Sequence, residues 1–307
     1  MKIIRDSGFG ALMQPPVENA AYAESHSFVS DLLELTKFRI AVMVTLSTLV
    51  GYVLGASPTL FTLIHLLLAT FLTAAGAGAL NQYVERETDG LMRRTANRPL
   101  PAGRVAPELA LRIGLLLTVV GIVYLGVAIN GLTALFGALT TGIYMLFYTP
   151  LKLRSPHNTT VGAVAGALPP VGGWTAATGS LGGEALALFA ILFVWQFPHF
   201  FAIAWMYRED YARGGYRMLS VEDPQGDRTA HQMILYSLVL LSCSLMPALI
   251  GLSGPIYFGV AVLLGALILL KSLAFAKNRT DEHARRLLHA TLIYLPVLWV
   301  VMVWDKV

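Results

Sequence analysis

Residues 61–104 read FTLIHLLLATFLTAAGAGALNQYVERETDGLMRRTANRPLPAGR, an apolar run that passes directly into a strongly polar one. The apolar part is long enough to span a bilayer as a helix, which takes about 20 residues. If the helix continues, Asn81, Glu85 and Asp89 lie on one face, because residues four apart are neighbours on an α-helix. The prolines of the NRPLP segment then stop the helix. This stretch predicts a membrane helix with a polar extension.

The composition assigns the whole chain to the membrane. Of its 307 residues, 56% are hydrophobic and 13% are charged, and the mean hydropathy is +0.64. A soluble domain is typically about a quarter charged. The single cysteine, Cys243, lies in an apolar run and excludes a disulfide framework. We therefore predict an all-α integral membrane protein.

Apolar runs recur along the chain and predict nine transmembrane helices in one bundle. They lie at about 38–56, 61–83, 107–128, 131–150, 160–178, 185–207, 229–251, 255–276 and 287–304. We expect residues 1–30 to form a cytoplasmic N-terminal tail and residues 31–307 a single transmembrane domain. Residues 31–39 have the amphipathic pattern of a short helix at the membrane surface.

The basic residues fall on one side of the predicted bundle. Of the 22 Lys and Arg residues, 19 lie in the N-terminal segment and in the connections after spans two, four, six and eight. Because basic residues favour the cytoplasmic side, this pattern predicts a cytoplasmic N-terminus and an external C-terminus. The net charge of +4 is therefore explained by membrane topology, and we expect no nucleic-acid partner.

Oxygen and guanidinium groups alternate in the connection after span two. Asn81, Glu85 and Asp89 would present three oxygen ligands on one helix face, with arginines following them. Carboxylates beside guanidinium groups indicate a divalent metal that holds a phosphate, although a solvated loop gives the same pattern. A second acidic pair, Glu209 and Asp210, ends span six on the same predicted side.

Two further groups complete this predicted site. Lys152 and Arg154 follow span four and would neutralise diphosphate oxygens, with a positive anchor at the membrane surface as the alternative. A metal–diphosphate site at the mouth of an apolar bundle suits a diphosphate joined to a long hydrocarbon. The metal and the cations would stabilise the departing diphosphate, so the predicted chemistry is prenyl transfer.

Several of these motifs carry a family resemblance. The pattern Asn81-x-x-x-Glu85-x-x-x-Asp89 resembles the first acidic motif of the UbiA-type intramembrane prenyltransferases. NRPLPAGR, YTPLK, NTTVGAVAGALPPVGGW and WQFPHFFAIAWMYREDYARGGYRML are similar to segments of the protohaem IX farnesyltransferases, the haem O synthases. This resemblance implies nine transmembrane helices, and transfer of farnesyl from farnesyl diphosphate to a vinyl group of haem B, with addition of water. It also implies a haem A synthase downstream. The acidic residues of the N-terminal segment favour a bacterial plasma membrane over an organellar one, and the polar loops on the basic side predict an active site facing the cytoplasm.

The resemblance assigns roles to seven positions. It implies that Mg²⁺ and diphosphate are bound by Asn81, Glu85, Asp89 and, in a second acidic site, Asp210, and that the diphosphate is contacted by Arg98, Lys152 and Arg154. His199 is a separate candidate for contacting haem iron or a propionate, because an ionisable group within a membrane span is often functional, with a hydrogen-bonded core residue as the alternative. The wider superfamily has paired aspartates in the second motif, whereas Gly214 follows Asp210 at that spacing and leaves Glu209 as the other acid.

Three alternatives fit parts of the pattern. A UbiA-type enzyme that prenylates an aromatic acid would share the diphosphate site and differ in its acceptor pocket. A secondary transporter would show interrupted helices in matched positions of two halves. A non-catalytic haem chaperone would need no acid clusters, and its haem binding would not require magnesium.

Overall fold

A computed structural model describes residues 27–55 and 59–307, in which every regular element is a helix. In chain order the α-helices are α1 (Phe28–Leu35), α2 (Phe38–Gly55), α3 (Leu60–Leu91), α4 (Pro107–Ala128), α5 (Gly131–Gly142), α6 (Thr149–Leu151), α7 (Asn158–Thr178), α8 (Gly183–Met206), α9 (Arg208–Arg213), α10 (Leu219–Glu222), α11 (Asp227–Leu249), α12 (Pro255–Asn278) and α13 (Asp281–Trp304). A π-helical segment, Ile143–Tyr148, joins α5 to α6.

The apolar helices agree with eight of the nine predicted spans. In the described residues, eight helical stretches are long and apolar enough to cross a membrane, and Gly131–Leu151 is one of them. The ninth predicted span, 160–178, corresponds to α7, which is a helix but is not among the eight. The protein is therefore a multi-pass membrane protein, whereas the crossing by α7 and the orientation of the termini stay predictions.

The N-terminal predictions are only partly within the described residues. Residues 1–26 of the predicted cytoplasmic tail lie outside them, and α1 begins at Phe28. The expected surface helix is α1, and it ends before the predicted limit because Lys37 adopts a left-handed backbone conformation with φ of 50°. This reversal separates α1 from α2.

Helix α3 is the element that positions the polar groups. It runs unbroken for 32 residues, so at 1.5 Å per residue it is about 48 Å long. The hydrocarbon core of a bilayer is only about 30 Å thick, and the helix can therefore carry its last turns into the polar region. Those turns hold Asn81, Glu85 and Asp89.

Small residues bring the other helices close together. A Cβ atom at Gly51 of α2 would lie 1.9 Å from the carbonyl oxygen of Pro170 in α7. One at Gly76 of α3 would lie 2.5 Å from the backbone nitrogen of Thr118 in α4. Close backbone approach through small residues is typical of helix packing in membranes. It explains why α7, with its adjacent prolines, lies buried among neighbouring helices.

Candidate active site

The polar end of α3 is buried, although it carries charge. Asn81, Glu85 and Asp89 are 0%, 6% and 1% exposed, and all three belong to one continuous helix. The prediction that the helix extends beyond the apolar run, with these residues on one face, is confirmed. A buried carboxylate needs a partner, because an isolated charge in a region of low dielectric is strongly destabilising.

Each of these three side chains is bound by a cation from a different segment. Lys37 donates to Asn81 Oδ1, Lys152 Nζ lies 2.6 Å from Glu85 Oε1, and Arg98 Nη1 lies 2.7 Å from Asp89 Oδ2. Asn81 Nδ2 also donates to Thr149 Oγ1 at 3.0 Å. The polar face of α3 is therefore connected to the start of α2, to α6 and to the loop after α3.

These groups, apart from Asn81 and Thr149, line a small cavity of about 80 Å³. Four cationic side chains line it, Lys37, Arg94, Arg98 and Lys152, together with two carboxylates, Glu85 and Asp89, so its formal charge is +2. Three tyrosines, Tyr148, Tyr211 and Tyr216, complete the polar wall. An excess of fixed positive charge around carboxylates suits a polyvalent anion that arrives with a metal ion.

Two tyrosine rings lie against Lys152. Its Nζ atom is 4.6 Å from the ring centroid of Tyr148 and 5.5 Å from that of Tyr216. Tyr148 is the last residue of the π-helical segment, a type of element that is frequent at functional sites. Tyr216 is held from the other side, because its hydroxyl lies 3.0 Å from Thr88 Oγ1 of α3.

The two lysines of the cavity differ in their protonation behaviour. Burial lowers the pKa of Lys37 to about 7, in spite of the carboxylate of Glu85 nearby. Burial acts in the same direction on Lys152, but Tyr148 and Glu85 outweigh it and hold the pKa of Lys152 well above its usual value. Lys152 is therefore a permanent cation at neutral pH.

Asp210 lies apart from this cavity. It lines a second cavity of about 190 Å³ with Arg93, Arg208 and Arg213 and with two further carboxylates, Glu209 and Asp281. Burial would raise the pKa of Asp210, but hydrogen bonds from Arg213 and from two backbone amides hold it below its usual value. The structure does not bring Asp210 together with Asn81, Glu85 and Asp89 in one cavity.

Two other predicted residues also lie away from the smaller cavity. Arg154 is exposed and lines neither cavity, and its carbonyl oxygen accepts a hydrogen bond from Arg217. His199 lies between α8 and α13, where its Nδ1 atom is 2.9 Å from Thr291 Oγ1 and its ring stacks on Trp195 at 4.6 Å. Arg98 and Lys152 are the predicted substrate-binding residues that the cavity does contain.

Some residues of the cavity are not indicated by the sequence motifs. Tyr148 precedes Lys152 by four residues within YTPLK, and this spacing on a helix is a signal that could have found it. The amphipathic pattern assigns Lys37 only to the surface helix, although a lysine directly before an apolar span must find a polar partner. Arg94 belongs to a basic run, and nothing local distinguishes it from Arg93.

The donor set limits how a metal ion would bind. Within residues 27–55 and 59–307, no group of three or more His, Cys, Asp or Glu side chains is placed to hold a metal ion. Glu85 and Asp89 nevertheless face one cavity, with Asn81 one turn before them on the same helix. One or two carboxylates, completed by water and phosphate oxygens, is the usual environment of Mg²⁺. The residues present fit an ion that binds together with its substrate.

Comparison with known proteins now identifies the family. Residues 43–295 match the UbiA prenyltransferase family. The chain belongs to this family. It is therefore a prenyltransferase, in agreement with the resemblance of its motifs. The buried polar end of α3 and its cations belong to a UbiA-type enzyme.

Two bacterial relatives illustrate the similarity in sequence. The protoheme IX farnesyltransferase of Solibacter usitatus (strain Ellin6076) is 45% identical over 287 residues, covering 90% of this chain and 98% of that protein. The protoheme IX farnesyltransferase of Salinibacter ruber (strain DSM 13855 / M31) is 46% identical over 278 residues, covering 90% and 98%.

Two solved structures share the fold. A digeranylgeranylglyceryl phosphate synthase superposes with a TM-score of 0.76 at 15% identity, covering 90% of this chain and 98% of that one. A UbiA homolog from Archaeoglobus fulgidus bound to GPP and Mg²⁺ gives a TM-score of 0.64 at 16% identity, covering 89% and 99%.

Proposed function

We propose that this UbiA-type enzyme transfers the farnesyl group of farnesyl diphosphate to a vinyl group of haem B, with addition of water, to give haem O. The observation that carries the diphosphate half of the proposal is the smaller cavity. Its two carboxylates are each paired with a cation, Glu85 with Lys152 and Asp89 with Arg98, and two further cations stand beside them.

Magnesium is the cofactor that this donor set suits. Asn81, Glu85 and Asp89 would hold the ion from one face of α3, with diphosphate and water completing its coordination. When bound, Mg²⁺ would neutralise charge on the diphosphate and make it a better leaving group. The second acidic site expected at Asp210 is not included, because that carboxylate lines a different cavity.

Diphosphate binding would rearrange the ion pairs already present. Lys152 and Arg98 would turn from Glu85 and Asp89 towards the phosphate oxygens and free the carboxylates for the ion. Lys152 acts as a compact charge and Arg98 as a two-pronged donor. Lys37, bound to Asn81, would add a third cation in its protonated form. Arg154, which is exposed and lines neither cavity, would contact the diphosphate only after its side chain turned towards the smaller cavity.

The chemical step is an allylic substitution. The bond between C1 of the farnesyl group and the diphosphate oxygen breaks, and its electron pair leaves with the diphosphate. The vinyl group attacks C1 with its terminal carbon, and the carbon next to the porphyrin ring is left positive. Water adds there and loses a proton, so the product carries a hydroxyl group. Lys152 lies over the rings of Tyr148 and Tyr216, and once it has turned to the diphosphate these ring faces would be free to stabilise the allylic cation and help to exclude water from it.

The acceptor and the setting rest on the relatives. Those at 45% and 46% identity bear the name protoheme IX farnesyltransferase, and both are bacterial. We extend this acceptor to the present chain, in a bacterial plasma membrane with the cavity open to the cytoplasm and a haem A synthase as consumer of the product. His199 would contact haem iron or a propionate from α8.

Diphosphate release tests this function and separates it from the nearest alternatives. Purified protein in liposomes would be given farnesyl diphosphate and Mg²⁺, with haem B or with a 4-hydroxybenzoate-type aromatic acid as acceptor. The proposal expects magnesium-dependent release with haem B only. Release with the aromatic acid instead would assign a different acceptor. No release with either acceptor, together with haem binding that ignores a chelator, would indicate a haem chaperone.

A further inference from the structure

Asp210 connects α9 to the turn after α3 through backbone groups of that turn. Its Oδ1 atom accepts the amide hydrogen of Arg93 at 3.2 Å, and its Oδ2 atom accepts that of Arg94 at 3.3 Å. Arg213, one turn later in α9, donates its guanidinium to the same carboxylate. Both amides belong to the turn that follows the end of α3 at Leu91. Asp210 therefore fixes this turn against α9.

The side chain of Arg94 is held by the same short helix. Its guanidinium carbon lies 5.2 Å from the ring centroid of Tyr207 and 5.9 Å from that of Tyr211. These tyrosines lie on either side of Asp210 in the sequence. Residues 207–211 therefore contact both the backbone and the side chain of Arg94. Arg94 is also one of the residues that line the smaller cavity, as are Glu85 and Asp89. Among the described residues it forms no ion pair, unlike Arg98 and Lys152.

The partners of Asp210 differ from those of the carboxylates on α3. Glu85 and Asp89 are bound by long side chains, which can rotate towards a substrate. Two of the three donors to Asp210 are backbone amides, and these hydrogen bonds can break only if the turn after α3 changes its conformation. The carboxylate of Asp210 also lines the second cavity and not the one with Glu85. To bind a magnesium ion with Glu85, Asp210 would have to lose these backbone hydrogen bonds and move its carboxylate into the smaller cavity.

We propose that Arg94 is a further diphosphate-binding residue and that Asp210 is a positioning residue that holds Arg94 in the cavity, not a ligand of magnesium. This inference deepens the proposed function and rests on its diphosphate site. It does not depend on which prenyl group or acceptor the enzyme uses. The two residues act as one unit, because Asp210 contributes only through the turn that carries Arg94.

A double-mutant cycle with inorganic pyrophosphate tests this arrangement. Isothermal titration calorimetry in the presence of Mg²⁺ would compare wild type, Arg94→Ala, Asp210→Ala and the double variant. Arg94→Ala loses a charged hydrogen-bonding partner, so its affinity for pyrophosphate should fall about 10-fold to 100-fold. The affinity of Asp210→Ala should also fall. The double variant should bind pyrophosphate no more weakly than Arg94→Ala. If the fold losses of the two single variants multiply in the double variant, the two residues act independently and the proposal is overturned.

The magnesium dependence of pyrophosphate binding separates positioning from ligation. In Asp210→Ala the Mg²⁺ concentration for half-maximal binding should stay within about twofold of wild type, whereas Glu85→Gln should raise it about 10-fold or more. An equal rise in both variants would make Asp210 a metal ligand. Asp281→Asn, a carboxylate of the same second cavity, is the matched control and should match wild type in both titrations.

Limited trypsin digestion of the metal-free protein gives a readout independent of activity. Trypsin cleaves after arginine, so the rate of cleavage after Arg93 and Arg94 measures how firmly the turn is held. We expect faster cleavage there in Asp210→Ala than in wild type and Asp281→Asn. Unchanged cleavage would show that Asp210 does not hold the turn. Because neither readout needs a prenyl donor or haem, a failure of the proposed reaction would be seen separately, as absent diphosphate release by wild type.

Discussion

Lys152 Nζ lies 2.6 Å from Glu85 Oε1 and thereby joins the residue after α6 to the polar end of α3. The pair is largely buried, with side-chain exposures of 13% and 7%. A buried ion pair of this kind is weak evidence for a role in stability, since replacing both partners with apolar groups is often harmless. Its position in a cavity with two more cations than carboxylates favours a role in binding diphosphate.

Replacing Lys152 with alanine should impair both binding and stability. The variant loses a diphosphate contact and leaves Glu85 buried without its cation. We expect turnover to fall about 100-fold to 1,000-fold and the free energy of unfolding to fall by about 3 kcal/mol. Steady-state assays and thermal unfolding in detergent would measure these effects. Lys277→Ala, an exposed lysine near the end of α12, is the control and should behave as wild type.

Isosteric replacement of the carboxylates should abolish turnover with little loss of structure. In Glu85→Gln and Asp89→Asn the side chains keep their shape but lose the charge that a magnesium ion requires. Turnover should fall at least about 100-fold, with a raised Mg²⁺ requirement. Glu87→Gln is the matched control, since Glu87 lies on the same helix with its side chain 84% exposed. Full activity in both cavity variants would remove the metal role.

The substitution pair Tyr148→Phe and Tyr148→Leu separates the ring face from the hydroxyl group. The ring centroid lies 4.6 Å from Lys152 Nζ, and under the proposed function its face would stabilise the allylic cation. We expect the Phe variant to keep most of kcat and the Leu variant to lose about tenfold, because only the latter removes the π face. Diphosphate release under single-turnover conditions is the measurement. Equal losses in the two variants would instead point to the hydroxyl group.

His199 has both a structural and a proposed functional role, and a variant of its hydrogen-bond partner Thr291 distinguishes the two. Removing either partner of their 2.9 Å hydrogen bond should lower Tm by about 2–4 °C. His199→Ala should in addition weaken haem binding, whereas Thr291→Val should not. Haem titration followed by absorbance would compare the two. Haem affinity that is equal in both variants and wild type would leave His199 with packing alone.

The local pattern of α3 makes part of the site predictable. A spacing of four residues is enough to place Asn81, Glu85 and Asp89 on one face, because helix geometry is set within one segment. The existence and limits of the apolar helices follow in the same way from length and hydropathy. Helix α7 is harder to predict, since its small residues and prolines reflect close packing against α2 and not exposure to lipid.

The remainder of the site depends on contacts between distant segments. The membrane side predicted for Asp210 gives no information on which cavity its carboxylate faces, because this depends on how α9 docks on the turn after α3. Lys37 reaches Asn81 from a left-handed backbone conformation, which is rare for lysine and has no sequence signature. Such placements follow from tertiary packing, which no local pattern encodes.

The mass of haem extracted after reaction shows whether haem B is the acceptor. Wild type and Glu85→Gln would be incubated with haem B, farnesyl diphosphate and Mg²⁺, with a chelated wild-type sample in parallel. We expect a mass gain of one farnesyl group plus one water in the unchelated wild-type sample alone. Unmodified haem in all three samples, with wild type folded and able to bind magnesium pyrophosphate, would contradict haem as the acceptor.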